Sequence, residues 1–400
     1  EGPKGTWSLT GGAGQCTEQN GLNAKFALSS TATGTIQAYL SDMNDFEDCR
    51  VTVQASPRQT QSFTVSLSTD TPHPRMEVTV TLPEGIVSPT YQWYADSTAI
   101  KGATGAAYVP AAGDIGKKLS VIVTPDAATG YGPSTAAAKN AVESHRYSAN
   151  GFCTVCGEYE PAALTGGAYQ IGNGGQMFWF AALINGDKTH AEFSAQEQNA
   201  AGSLTADINL ENREWKPIAS FSGSFEGQSH RITGFRITNT ASDLGFFGSS
   251  GGTLRDFTLE GEILLSADAS NIGGVVGSTR GGTVSRVTSA VRISNTDGTC
   301  AHVGGIIGGV NNTETVIEQC LFTGSVTIAN STDCIGGIVG YSNGGARISH
   351  CANLGTVTAA AQDAYTGGIL GYLNNASPSV KNCYNYGTVQ NGGGNYCGAI

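Results

Sequence analysis

Residues 336–357 read GGIVGYSNGGARISHCANLGTV, and this arrangement returns along the second half of the chain. Its first anchor is Gly-Gly-aliphatic-aliphatic-Gly. The anchor stands at Gly273–Gly277, Gly304–Gly308, Gly336–Gly340 and Gly367–Gly371, and it begins again at Gly398, with successive spacings of 31, 32, 31 and 31 residues. Leu244–Gly248 is a degenerate copy 29 residues upstream of the first. A second anchor sets an apolar residue six positions before a β-branched one: Phe257/Ile263, Val287/Ile293, Cys320/Val326, Cys351/Val357 and Cys383/Val389. Two independent anchors that share one period of 20–50 residues identify a stacked repeat.

One coil per repeat is the physical reading. A coil cannot bury its aliphatic face alone, so it stacks on neighbours about 4.8 Å away, and like residues fall over like residues. Glycine permits the tight corners and the close approach of one backbone to the next. Val275, Ile306, Ile338 and Ile369 should therefore lie in one file. Upstream, Gly174–Gly186 carries Met177, Phe178, Trp179, Phe180, Leu183 and Ile184 at helical spacing and ends Asn-Gly, a C-cap signal. Such a helix suits the open end of a solenoid, whose core and strand edges otherwise meet water. Leu204–Leu210 and Trp215–Ile218 read as the first strands of the array.

GSFEGQSHRITGFRI, GFFGSSGGTLRDFTLEG and GGIVGYSNGGARISHCANLGTV resemble the GLUG-motif repeats of bacterial surface proteins, over about residues 165–400. The resemblance implies extracellular display rather than one activity, since such repeats stand beside peptidase and adhesin modules. Val287, where later coils have Cys, and the missing first Gly at Leu244 depart from the pattern.

The first third reads as short strands rich in Thr, Val and Ser: Thr6–Leu9, Ala24–Ser29, Gly34–Leu40, Arg50–Ala55 and Ser62–Ser68. Met76–Leu82 alternates with period two. YQWYADSTAIKGATGAAYVPAAGDIGKKLSVIVT, residues 91–124, resembles a family of bacterial immunoglobulin-like modules, which implies that Trp93 plugs the space between two sheets. HRYSANGFCTVCGEYEPA, from His145, resembles a connector in surface proteins of Gram-positive gut bacteria. The expected organisation is a small β-sandwich at 1–72, an Ig-like module at 74–140, a His/CxxC connector at 141–162, a capping helix with the first coils at 163–219, and a repeat solenoid at 220–400. The fold class is all-β, with N-terminal sandwiches followed by a parallel, right-handed β-solenoid.

Only 13% of residues are charged and 56 are glycine, which fits many turns over uncharged surfaces. The net charge of −11 and the lack of any Lys/Arg cluster exclude nucleic acid and anionic lipid as main partners. No apolar run is long enough to span a bilayer, and no signal peptide is present. A start at Glu1 in strand-like sequence and a stop inside a repeat read as a fragment of a longer extracellular protein, secreted or held at the cell surface.

The chain has ten cysteines. Cys320, Cys351 and Cys383 share one repeat position, as an inward ladder of thiols or as disulfides between rungs. Cys300–Cys334 is the candidate cross-rung disulfide, and Cys16–Cys49 the candidate pair of the first domain. Cys153 and Cys156 fit a local disulfide, a zinc knuckle with His145 as third ligand, or neither. No other cofactor is implied.

Catalysis on such a rod needs converging acids and bases. Residues 207–262 offer Asp207, Glu211, Glu214, Glu226, His230, Arg231, Asp256, Glu260 and Glu262, which read more simply as solvated faces and turns. Tyr341, Tyr372, Tyr384 and Tyr386 stand near repeat turns as candidate contacts for a host or neighbouring-cell glycan or protein; stacking between coils is the competing role. The expected function is an adhesin or structural display scaffold, non-catalytic within this chain. The alternatives are a glycosidase or lyase on a β-helix, and an accessory stalk of an extracellular peptidase.

Overall fold

The computed structural model describes residues 6–9, 14–20, 23–28, 34–41, 49–55, 61–126, 129–238, 242–311, 314–330, 333–360, 364–374, 379–392 and 397–400. The chain is almost entirely β and divides into two units, Glu1–Ser144 and His145–Ile400.

In the first unit, Thr6–Leu9, Gly34–Ser41 and Cys49–Ala55 form an antiparallel sheet, and Gly14–Asn20 pairs with Asn23–Leu28. The strand Gly14–Asn20 escapes the sequence reading because its Gln, Glu and Asn lack a β-branched run, while Ser29 lies outside the described residues. Ser66–Leu67 joins Val78–Thr81 and Ala107–Tyr108 in a second sheet, and Lys118–Thr124 sits between Thr90–Ala95 and Ser134–Ala141 in a third. Trp93 is fully buried against Val65, Val78, Leu119, Val121 and Val123. Its indole N–H donates to the Gly105 carbonyl at 2.9 Å, so the one polar atom of the ring is satisfied. Trp93 is therefore a core residue.

The second unit is a parallel β-solenoid of about seven turns. One coil runs through Cys300–Gly304, Ile307–Asn311, Thr315–Glu318, Leu321–Phe322 and Ser325–Ile328. Its first two strands belong to five-stranded parallel sheets, and the other three to an eighteen-stranded sheet. Both sequence anchors lie in register. Gly273, Gly304, Gly336, Gly367 and Gly398 are successive partners, as are Ile263, Ile293, Val326, Val357 and Val389. Val275 N–H donates to Ile306 O, Ile306 to Ile338 O and Ile338 to Ile369 O at 3.0–3.1 Å, and all four side chains are buried.

The paired glycines answer two different contacts. A Cβ at Gly304 would stand 1.9 Å from the Ile307 carbonyl of its own coil, whereas one at Gly305 would stand 2.2 Å from the Gly337 carbonyl of the next. The first glycine thus turns the corner, and the second lets the rungs close on one another.

The helix, α1, spans Gly174–Asn185. Asn173 caps its first turn through Gln176 N–H, and Gly186, left-handed at φ 70°, ends it. Ten of its twelve residues are buried, so it is apolar all round, as an inserted plug must be. Phe180 meets Phe221 and Phe225, and Phe178 meets Trp215, whose ring stacks on Phe246 at 4.3 Å. Ala168–Ile171, ahead of the helix, pairs in parallel with Ala201–Leu204, and Ala201–Leu204 and Ile208–Glu214 pair in parallel with the next coil; Trp215–Ile218, expected as a strand, contributes only the bridge of Ile218 to Phe247. Among the described residues, no helix is long and apolar enough to cross a membrane.

Candidate functional site

Repetition puts side chains in files, and one file is aromatic. Tyr341 and Tyr372 are register partners on neighbouring strands, with parallel rings 6.2 Å apart. His302 stacks on Tyr341 at 4.1 Å, and Tyr365 leans on Tyr372 at 4.7 Å. The result is one half-buried strip of four rings. Tyr384 and Tyr386 form a separate pair 6.0 Å apart, on the strand Tyr384–Asn385 and just after it. At 53% and 78% exposure, these two are the open members of the four candidate tyrosines.

A polar file joins the strip at His302. Asn271 Nδ2 donates to Asp243 at 2.8 Å, so its Oδ1 accepts from His302 Nδ1–H at 2.9 Å. His302 Nε2 faces Asp333 at 2.8 Å, and the Cys334 thiol donates to the other oxygen of that carboxylate at 2.6 Å. Burial, reinforced by Asp333, pushes the Cys334 thiol far up, so it stays protonated. Cys300 is buried and its thiol is also raised, to about 11, by burial beside Asp268. Both are free thiols. The pairing of Val303 with Ile335, continued backwards, sets His302 beside Cys334 and leaves Cys300 two residues out of step. The glycine anchors already carry this offset in the sequence, since Cys300 stands four residues before Gly304 and Cys334 only two before Gly336.

Cys320, Cys351 and Cys383 do stack. Cys320 N–H meets Cys351 Sγ at 3.4 Å, and the Cys351 thiol is pushed up to about 12, first by its hydrogen bond with Cys320. All three are free thiols, and the first two are fully buried. Cys16 is a free, half-buried thiol, while the side chain of Cys49 lies outside those described.

His145, Cys153 and Cys156 converge. Cys156 Sγ lies 3.4 Å from His145 Nδ1, and the three ligand atoms lie within 4.8 Å of one another. Burial opposes the Cys153 thiolate, but the backbone N–H groups of Cys156, Val155 and Arg146 outweigh it and lower the pKa. Cys156 moves the other way, to about 11, chiefly by burial and then by the neighbouring Cys153 sulfur.

The acids of residues 207–262 are engaged, most of them from rung to rung and Glu211 within its own strand. Glu226 pairs with Arg255, Asp256 takes both arms of Arg286 at 2.6 and 2.7 Å, and Glu260 takes Arg231 at 3.1 Å. Glu262 sits between Arg236 and Arg292. Asp207 accepts from Arg231 N–H and His230 at 3.0 Å, Glu211 takes Arg213 at 3.2 Å, and Glu214 accepts from Thr238 N–H at 2.7 Å. The Arg286 guanidinium holds the Asp256 carboxyl below the usual carboxylate range, and the backbone N–H of Arg231 does so for Asp207.

The sequence reading misses one cleft. It lies beside α1, measures about 180 Å³, and is lined by Tyr159, Asp187, His190, Glu214 and Lys216 among others. Lys216 Nζ contacts Asp187 at 2.8 Å, and with Thr189 it holds that carboxyl well below its usual range. Aromatic Tyr159 sits against His190, with burial raising its phenol. Nothing in the repeat pattern marks the cleft, because its residues come from the connector, the helix and the loop after it, and the end of the strand Ile208–Glu214, ahead of the first anchor.

No family model matches the chain, and no curated protein matches it. Among solved structures, the chain is similar to the crystal structure of a "putative immunoglobulin A1 protease" from Bacteroides ovatus, at 19% identity and a TM-score of 0.43, over 62% of this chain and 84% of that one.

Proposed function

We propose that this chain is a binding and display part of an extracellular protein, an adhesin or surface scaffold of the GLUG-repeat kind from a Gram-positive bacterium, and that it holds its ligand without converting it. The ring strip of His302, Tyr341, Tyr372 and Tyr365 is the observation that carries the reading. Tyrosine offers a rigid apolar face with a polar tip at low entropic cost, which suits the faces of a sugar or a protein side chain. Because the rings are fixed by rungs rather than loops, the strip is pre-organised. The exposed pair Tyr384 and Tyr386 adds a second contact.

The glycosidase or lyase reading finds less support. A general acid working near neutral pH needs a raised carboxyl pKa. Asp207 and Asp256 are lowered instead, and their neighbours in the same stretch are held in cross-rung pairs.

The test is a glycan and host-protein array probed with the intact chain and with Tyr341→Ala/Tyr372→Ala. Binding that falls at least about tenfold in the double variant, one ring contact of roughly 1.4 kcal/mol, supports the reading. Full binding by the double variant, or turnover of a glycan that Asp207→Asn or Glu214→Gln abolishes, contradicts it.

A further inference from the structure

We propose that His145, Cys153 and Cys156 form a zinc site that closes the hairpin ahead of the solenoid cap. The argument is geometric and stands apart from the ligand-binding reading. Zinc bonds of about 2.3 Å to sulfur and about 2.0–2.1 Å to imidazole nitrogen, at tetrahedral angles, place sulfur about 3.6 Å from nitrogen and about 3.8 Å from a second sulfur. The Cys156–His145 separation of 3.4 Å matches the first edge, and the remaining separations stay within 4.8 Å. An ion between the three therefore needs shifts of at most about an ångström, not refolding.

The backbone holds the donors in place before any metal arrives. Tyr147 and Cys153 form an isolated antiparallel bridge, Thr154 N–H donates to Arg146 O, and Cys153 N–H donates to Glu158 O. Gly157, left-handed at φ 73°, returns its N–H to Cys153 O at 3.0 Å and so closes the turn over the sulfurs. The His145 ring is set by stacking on Tyr147. A closed tetrahedron needs a fourth donor beyond these three. Among the described residues, the other group of this kind, His302, Asp333 and Cys334, is internally satisfied: its thiol donates to its carboxylate and its imidazole bridges Asn271 and Asp333.

The intact, reduced chain titrated with cobalt(II) without oxygen tests the site. The expected result is a thiolate-to-cobalt absorption band that saturates at one ion per chain and is displaced by zinc. Cys153→Ser/Cys156→Ser should lose the band, Cys320→Ala should keep it, and His145→Ala should weaken binding by at least about tenfold, the loss that removing even an outer partner produces. Should the double variant fail to fold, alkylation mapping of the wild-type chain decides: zinc must protect Cys153 and Cys156 and leave Cys16 reactive. Absence of a saturating band, a band untouched by the double substitution in a folded variant, alkylation unaffected by zinc, or a Cys153–Cys156 disulfide in the chain as purified overturns the proposal.

Discussion

Gly336 carries the argument at the smallest scale. A methyl group there would lie 2.0 Å from the Val339 carbonyl, a contact with backbone that no rotamer relieves. Gly336→Ala is expected to lower the melting temperature more than Ser325→Ala, a half-buried strand position in the same coils. Asn353 is the polar counterpart: fully buried, it accepts from Gly355 N–H at 2.9 Å and donates to Asn385 at 2.8 Å. Asn353→Ala leaves that N–H unpaired, at a cost of about 1–3 kcal/mol in chemical denaturation. A third file is less expected. Asp256, Arg286, Gln319, His350 and Asn382 are all left-handed, with φ between 51° and 61°, one in each coil. Left-handed backbone costs a side chain roughly 1–2 kcal/mol, whereas glycine loses about 0.5–1 in entropy. Gln319 is exposed, so Gln319→Gly is expected to be neutral to mildly stabilising; clear destabilisation contradicts the strain account. Asp256 adds a pH dependence. Its carboxyl is lowered in the folded state, so the Arg286 pair stabilises above the ordinary carboxylate pKa and is lost as pH falls through the lowered value. The melting difference between wild type and Arg286→Ala should be widest near neutral pH and close in acid.

Among the elements, α1 decides the integrity of the solenoid's first end. Phe180 is fully buried between helix and first rungs, and Phe180→Ala is expected to cost about 3–5 kcal/mol. Because each coil contacts only its neighbours, the loss should fall locally: hydrogen exchange at Ala201–Glu214 should speed up well before that at Ile307–Asn311. Equal acceleration in both would contradict nearest-neighbour stacking. The helix is legible in the sequence because Asn-Gly closes an apolar run rich in Ala, Leu and Met; the expected helical spacing is absent, since Met177–Ile184 is apolar at every position. The anchors are legible because burial forces the same residue classes at one period. The left-handed file is hidden, since its members share a backbone shape and not a residue type. Cross-rung ion pairs have a readable signal that went unused: Glu226 and Arg255, or Asp256 and Arg286, are opposite charges 29 and 30 residues apart, one period each. The cleft of Tyr159 and His190 has none, because it joins the connector to the loop after α1.

At the scale of the solenoid, every reading rests on coils stacked in register. The ring strip, the thiol ladder and the paired charges are all consequences of one axial repeat acting on a near-periodic sequence. Burial fixes residue classes along the stack and puts no such constraint on the surface, which is why architecture is far more legible here than function. Electron–electron resonance distances between spin labels on one file test the stacking directly, with labels carried on non-natural residues so that native thiols stay untouched. Arg236, Glu262, Arg292, Ser325, Thr356 and Thr388 are successive register partners. At about 4.8 Å per rung, backbone separations of roughly 19 Å for 262/388 and 24 Å for 236/388 follow. Label distances that grow by one rung from the first pair to the second confirm the stack, and distances that do not follow rung number contradict it.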